Sequence, residues 1–138
     1  AWSPDGREVA FVRNVAPDPD RRLGDQGIFV VTVANGETRA VAAPPGPKGN
    51  LAWSPDGSRI AYLGHDDPDE FWGIRNVHLW VAALDGSGAT DLMAGWDVTA
   101  GDCTLGEVPG RGDVGPVWTA DGAALRVVVS DQGRVDLW

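Results

Sequence analysis

One segment of this chain returns along its length, and that limits the folds open to it more than any other feature. Ala1-Trp2-Ser3-Pro4-Asp5-Gly6-Arg7-Glu8-Val9-Ala10-Phe11-Val12 reappears as Ala52-Trp53-Ser54-Pro55-Asp56-Gly57-Ser58-Arg59-Ile60-Ala61-Tyr62-Leu63. A weaker third copy runs from Val117-Trp118-Thr119-Ala120-Asp121-Gly122 to Val128, and the tryptophans stand 51 and then 65 positions apart. Repetition at this period means one small unit stacked on copies of itself, each burying the face its neighbour leaves open.

Every part of the motif has a local physical role. Proline presets φ in a tight turn and glycine accepts the positive φ that follows, while Ser or Asp bonds back to the turn backbone. A tryptophan ends one strand, and an alternating β-branched and aromatic strand follows the glycine, which makes a hairpin. Ala120 in the third copy weakens the turn preference without forbidding the turn.

A second hairpin follows each first one. Gly27 to Val33 reads as a strand, Asn35-Gly36 as a two-residue turn, and Glu37 to Ala42 as the return. Val77 to Leu84, the turn Asp85-Gly86-Ser87-Gly88, and Ala89 to Met93 repeat the scheme, and Arg134 to Trp138 begins it again. Two hairpins per unit predict an all-β fold, a partial β-propeller of about three four-stranded antiparallel blades. The expected division is residues 1–49, 50–115 with a long loop, and an incomplete blade at 116–138. Asn14 to Asp25, Gly64 to Asn76 and Ala94 to Gly115 are expected to be long rim connections, where partners bind. A closed propeller needs at least four blades. The chain is therefore expected to be a piece of a larger propeller, and to self-associate when made alone.

Composition excludes several function classes. The net charge of −9 repels a nucleic-acid backbone and an anionic membrane surface, so neither is expected as a partner. No apolar run approaches the roughly 18 residues of a membrane helix. Cys103 is the single cysteine, which rules out an internal disulfide and a cysteine-based zinc site. Ala1 is not preceded by a basic-then-apolar leader in the sequence given.

The residues that could carry chemistry each have a simpler reading. Trp2, Trp53 and Trp118 could stack a ligand, but recurrence at one place in every unit favours packing between blades. Asp5, Asp56 and Asp121 could bind metal, but each has a turn to hold. Asp66, Asp67, Asp69 and Glu70 lack the spacing that organises a calcium loop. His65 and His78 belong to no zinc-binding helix motif. Arg111-Gly112-Asp113 spells an adhesion tripeptide within ordinary loop composition. No Gly-x-Ser-x-Gly elbow occurs, Ser87 sits between two glycines of a hairpin turn, and neither it nor Cys103 pairs with a base. The sequence thus assigns no catalytic, cofactor-binding or metal-ligating residue, and no cofactor is expected.

The Trp-Ser-Pro-Asp-Gly units followed by Ile-Ala-Tyr resemble the repeat of TolB-like propellers. They equally resemble the N-terminal propeller of prolyl oligopeptidase-family serine peptidases. Tyr62-Leu63-Gly64-His65-Asp66-Asp67, Asn76-Val77-His78-Leu79-Trp80-Val81 and the continuation through Asp85-Gly86-Ser87-Gly88 to Trp96-Asp97 are similar to acylaminoacyl-peptidase-like members. That second resemblance implies a cytoplasmic parent enzyme with an α/β-hydrolase domain and a Ser-Asp-His triad. The propeller would gate short or acylated peptide substrates into that domain. No triad position falls within this sequence, so the chain itself is expected not to hydrolyse peptides. The alternative that the first resemblance implies is a periplasmic or extracellular propeller that binds a protein partner.

Overall fold

A computed structural model describes residues 1–70, 73–103 and 114–138. The described residues form antiparallel strands and no helix, so none is long and apolar enough to cross a membrane. The first sheet holds β1 (Glu8–Asn14), β2 (Gln26–Thr32) and β3 (Thr38–Ala40) in that order, with a single bridge from Trp2 to Val9 on its inner edge. The second is four-stranded, β4 (Lys48–Trp53), β5 (Arg59–Gly64), β6 (His78–Ala83) and β7 (Gly88–Asp91), in chain order. The third lies in two parts. The strand β8 (Thr99–Ala100) pairs with β11 (Val128–Asp131), which also pairs with β12 (Arg134–Leu137), while β9 (Val117–Trp118) pairs with β10 (Leu125–Arg126). The sheets stack as propeller blades and do not close into a ring.

The three repeat turns share one hydrogen-bond arrangement. In the second, the Ser54 hydroxyl donates to Asp56 Oδ1 at 2.6 Å and accepts from the Arg59 amide at 2.9 Å. The same carboxylate accepts from the Ser58 amide at 3.0 Å, and Gly57 takes a φ of 74°. Ser3 and Asp5 repeat the pattern, and so do Thr119 and Asp121. Asp5, Asp56 and Asp121 are thus turn residues. These bonds hold all three carboxyls below the usual aspartate range, Asp56 at about 2. Ala120 leaves the turn intact because that position contributes no side-chain bond to it.

The repeat tryptophans fasten each sheet to the one before it. The indole N–H of Trp53 donates to the Ala1 carbonyl at 3.2 Å, and that of Trp118 to the Ala52 carbonyl at 3.1 Å. In both cases the acceptor is the residue just before the preceding repeat tryptophan. Trp53 is buried, and Arg59 lays its guanidinium over the Trp118 ring at 4.7 Å. Trp2 differs, with 63% of its surface exposed. Two apolar layers result. Ala10, Ile28 and Val30 of the first sheet meet Trp53, Ile60, Tyr62 and Ala82 of the second. Ala61, Leu63 and Leu79 on its other face meet Ala100, Val127 and Val129 of the third.

The stretch from Ala94 to Gly115, expected as one long connection, contains β8. Ala100 pairs with Val129 and is buried against the second sheet. In the second sheet, β4 shifts register between Gly49 and Ala52, with Asn50 at a φ of 53°. In the third, β8 and β9 supply the two ends of the corresponding inner strand, and the residues between Gly101 and Val117 enter where that shift falls.

Lys48 begins β4 and ties the first two sheets together. Its ammonium donates to the carbonyls of Gln26 at 2.9 Å and Gly46 at 2.8 Å, and its amide donates to Gln26 Oε1 at 2.8 Å. Burial pushes the ammonium down to about 8. Between about pH 8 and the ordinary lysine value near 10.4, the unfolded chain then binds more protons here than the folded one, so this group's contribution to stability rises with pH across that window and is constant at its lowest level below it. Urea midpoints measured at pH 7.5 and pH 10 should therefore show the wild type gaining on Lys48→Met at the higher pH. Equal gains in both proteins would contradict the assignment.

Candidate functional site

The strand ends of the second sheet place a polar hollow of about 420 Å³ on one rim. The register sets Tyr62 opposite Trp80 and Trp80 opposite Asp91, with His78 beside Gly64 one step nearer the rim. Side chains two apart on a strand share a face, so His78, Trp80 and Asp91 point to the same side. His78 Nδ1 meets Asp91 Oδ2 at 2.7 Å, with both side chains about four-fifths buried. An Nδ1–H given to a carboxylate fixes the tautomer and leaves Nε2 as an acceptor. Asp91 is itself held, because its Oδ1 accepts the Met93 amide at 2.8 Å.

The loops complete the wall. Asn76 donates to Asp97 Oδ1 at 2.9 Å, and Thr99 in turn donates to Asn76 Oδ1. His65 accepts the Asp67 amide on Nδ1 at 3.3 Å, and burial moves its pKa below the ordinary histidine value. Trp96 is 52% exposed and packs edge-on against Trp138 at 5.2 Å. Trp80 donates its indole N–H to the Gly64 carbonyl at 3.1 Å and stacks on Tyr62 at 6.2 Å. The Tyr62 hydroxyl, by contrast, is buried and lacks a hydrogen-bond partner. Burial raises this phenol well above its ordinary value, with Asp91 and Asp66 acting in the same direction.

The charge of the hollow is unbalanced. Asp66, Asp91 and Asp97 line it, and its arginine, Arg75, is paired with Asp67 at 3.0 Å. An acidic lining beside an exposed indole suits a cationic group, which gains Coulomb attraction from the carboxylates and cation–π attraction from the ring. Among the described residues, no group of three or more His, Cys, Asp or Glu could hold a metal ion.

The other residues singled out in the sequence lie elsewhere or have local partners. Asp69 pairs with Arg22 at 2.8 Å and so joins two rim loops. Glu70 accepts the Ile74 amide at 3.4 Å. Ser87 lies exposed in its turn, where its amide donates to Asp85, and Cys103 is exposed with its amide on Ser130. Arg111-Gly112-Asp113 falls outside the described residues. The His78–Asp91 pair was missed because neither residue carries a motif. The turn at Asp85 to Gly88 was the available signal, since counting back along both strands from it brings residue 91 beside 78 and 80.

No family model matches the chain, and no curated protein matches it. Among solved structures it is similar to TolB from Acinetobacter baumannii, with a TM-score of 0.56 and 17% sequence identity. That likeness covers 99% of this chain and 30% of the TolB chain, so the sequence spans less than a third of the protein it resembles. At this identity the likeness speaks to architecture, and it establishes that the stacked sheets are blades of a β-propeller.

Proposed function

We propose that this chain is part of a TolB-like binding propeller that holds a protein partner at the rim of its second blade, with a basic side chain of that partner seated in the hollow. The observation that carries this reading is the acidic lining around the His78–Asp91 pair, set beside the exposed ring of Trp96. A lysine or arginine head would lie against Trp96, and Asp97 and Asp66 would take its donors. The rim position also suits a partner surface, because rigid strands hold the pair while loops form the border. On this reading the propeller is periplasmic or extracellular.

A second reading rests on the resemblance of residues 62–97 to acylaminoacyl-peptidase-like propellers. There the chain would gate peptide entry to a hydrolase domain of the parent protein, in the cytoplasm. The structural likeness to TolB favours the first.

Calorimetric titration with short lysine- or arginine-bearing peptides, and with glutamate-bearing counterparts, tests the proposal. Only the basic peptides should bind, more weakly as salt rises. Asp97→Asn and Trp96→Ala should each weaken binding about tenfold, equivalent to about 1.4 kcal/mol. Equal affinity for acidic and basic peptides, or no effect of either substitution, would overturn it.

A further inference from the structure

The rim hollow belongs to the second blade, which has a sheet packed on each of its faces. Its acceptors are not equivalent. Both oxygens of Asp91 are engaged, Oδ2 by His78 Nδ1 at 2.7 Å and Oδ1 by the Met93 amide at 2.8 Å. Asp97 Oδ1 holds Asn76, and Asn76 Oδ1 holds Thr99. The two imidazoles differ as well. His65 accepts the Asp67 amide on Nδ1, so its neutral ring carries the proton on Nε2 and offers the hollow a donor. His78 is the reverse. Its proton lies on Nδ1, and Nε2 keeps a lone pair with no hydrogen-bond partner among the described residues. Asp91 braces the ring from the next strand, and both side chains are only 18% exposed, so that lone pair has a fixed direction.

We infer, on the strength of the hollow as a seat for a lysine or arginine head, that His78 Nε2 is the acceptor that receives this head, and that binding is lost when the same nitrogen takes up a proton. An N–H of the ammonium or guanidinium points at Nε2, while Asp66, Asp91 and Asp97 supply the negative field around it. A protonated imidazole has a donor at both nitrogens. It then offers the ligand no lone pair and sets a positive charge against the ligand's own. Ligand and proton therefore compete for one nitrogen. By linkage, protons weaken the ligand and the ligand expels the proton to the same extent.

Imidazole is the side chain that ordinarily changes charge between pH 5 and 8. The charged groups around His78 are Asp91 on β7, Asp66 and the Asp67-paired Arg75 on the loop after β5, and Asp97 on the loop after β7. The neighbouring strands β5 and β6 present Gly64, Trp80 and the Tyr62 phenol, which burial keeps protonated. His65 shares the hollow, but burial disfavours its charged form.

Calorimetry with a blocked peptide whose one titratable group is a lysine tests this. Between pH 7.5 and pH 5.5 the affinity should fall about tenfold, the change that one competing proton produces across a pH unit. Carboxylates ordinarily titrate near pH 4 and keep their charge over this range. At pH 6.5, titrations in two buffers of unequal ionisation enthalpy should show proton release on binding. That signal is read on the unsubstituted chain, and a merely structural role for His78 would not produce it. His78→Gln, whose amide oxygen can stand where Nε2 stood, should still bind at pH 7.5 and lose both the pH dependence and the proton release. His65→Gln should keep both. A peptide that binds equally at the two pH values would overturn the role of His78 and leave the hollow as a basic-group seat. So would a profile unchanged by His78→Gln, or one abolished by His65→Gln. No binding at any pH would overturn both.

Discussion

Truncating Trp53 to alanine is expected to lower the unfolding free energy by about 3–5 kcal/mol, the usual cost of emptying a buried aromatic site. Its ring sits between the first two sheets with Ile28, Val30 and Ile60, and is 9% exposed. The same substitution removes one of the two donors to the Ala1 carbonyl, which keeps the Ala10 amide at 2.8 Å. Trp53→Phe separates the two effects. It keeps most of the packing and loses the hydrogen bond, for which a cost of about 1 kcal/mol is expected. Urea unfolding followed by circular dichroism reads both. A Trp53→Ala variant within 1 kcal/mol of wild type would mean that the two sheets are not held together by this layer.

Gly64→Ala should be nearly as damaging for an unrelated reason. A Cβ at Gly64 would lie 2.2 Å from the Pro47 carbonyl oxygen, where backbone meets backbone and neither side chain can yield. The two inner strands must part there, and a cost of about 3 kcal/mol is expected from such overpacking. Gly49, on the neighbouring strand, has open space where its Cβ would go. Gly49→Ala should therefore change stability by no more than about 0.5 kcal/mol. Gly64→Ala should also weaken peptide binding at the rim, because the Gly64 carbonyl receives the Trp80 indole that lines the hollow. If the two alanine variants unfold at the same urea concentration, the close approach at Pro47 is not real.

The hairpins were legible in the sequence because their causes are local. Ser54, Asp56 and Gly57 set their turn through bonds within five residues, and such a pattern survives in any chain that contains it. Asn35-Gly36 is legible for the same reason. The strand β8 was not legible, because Thr99 and Ala100 alternate with nothing and become a strand only by pairing with Ser130 and Val129. Trp2 and Trp53 share identical flanking residues for four positions, yet one is exposed and the other buried. The difference depends on which sheet stands in front of each, which no local pattern records. His78 and Asp91 fall between these cases. Their strands were foreseen, while the contact depended on a register that the turn fixes only once its hydrogen bonds are known.

The divided inner strand of the third blade has a consequence for engineering. Thr99–Ala100 and Val117–Trp118 are each anchored by their own partners on β11 and β10. The length of chain between them is thus uncoupled from the alignment of either pair. A peptide or small domain spliced between Gly101 and Val117 would change neither register, and its entropic cost would grow only slowly with its length. The propeller therefore contains a natural graft point on its innermost strand, where cargo can be carried without rewriting the blade.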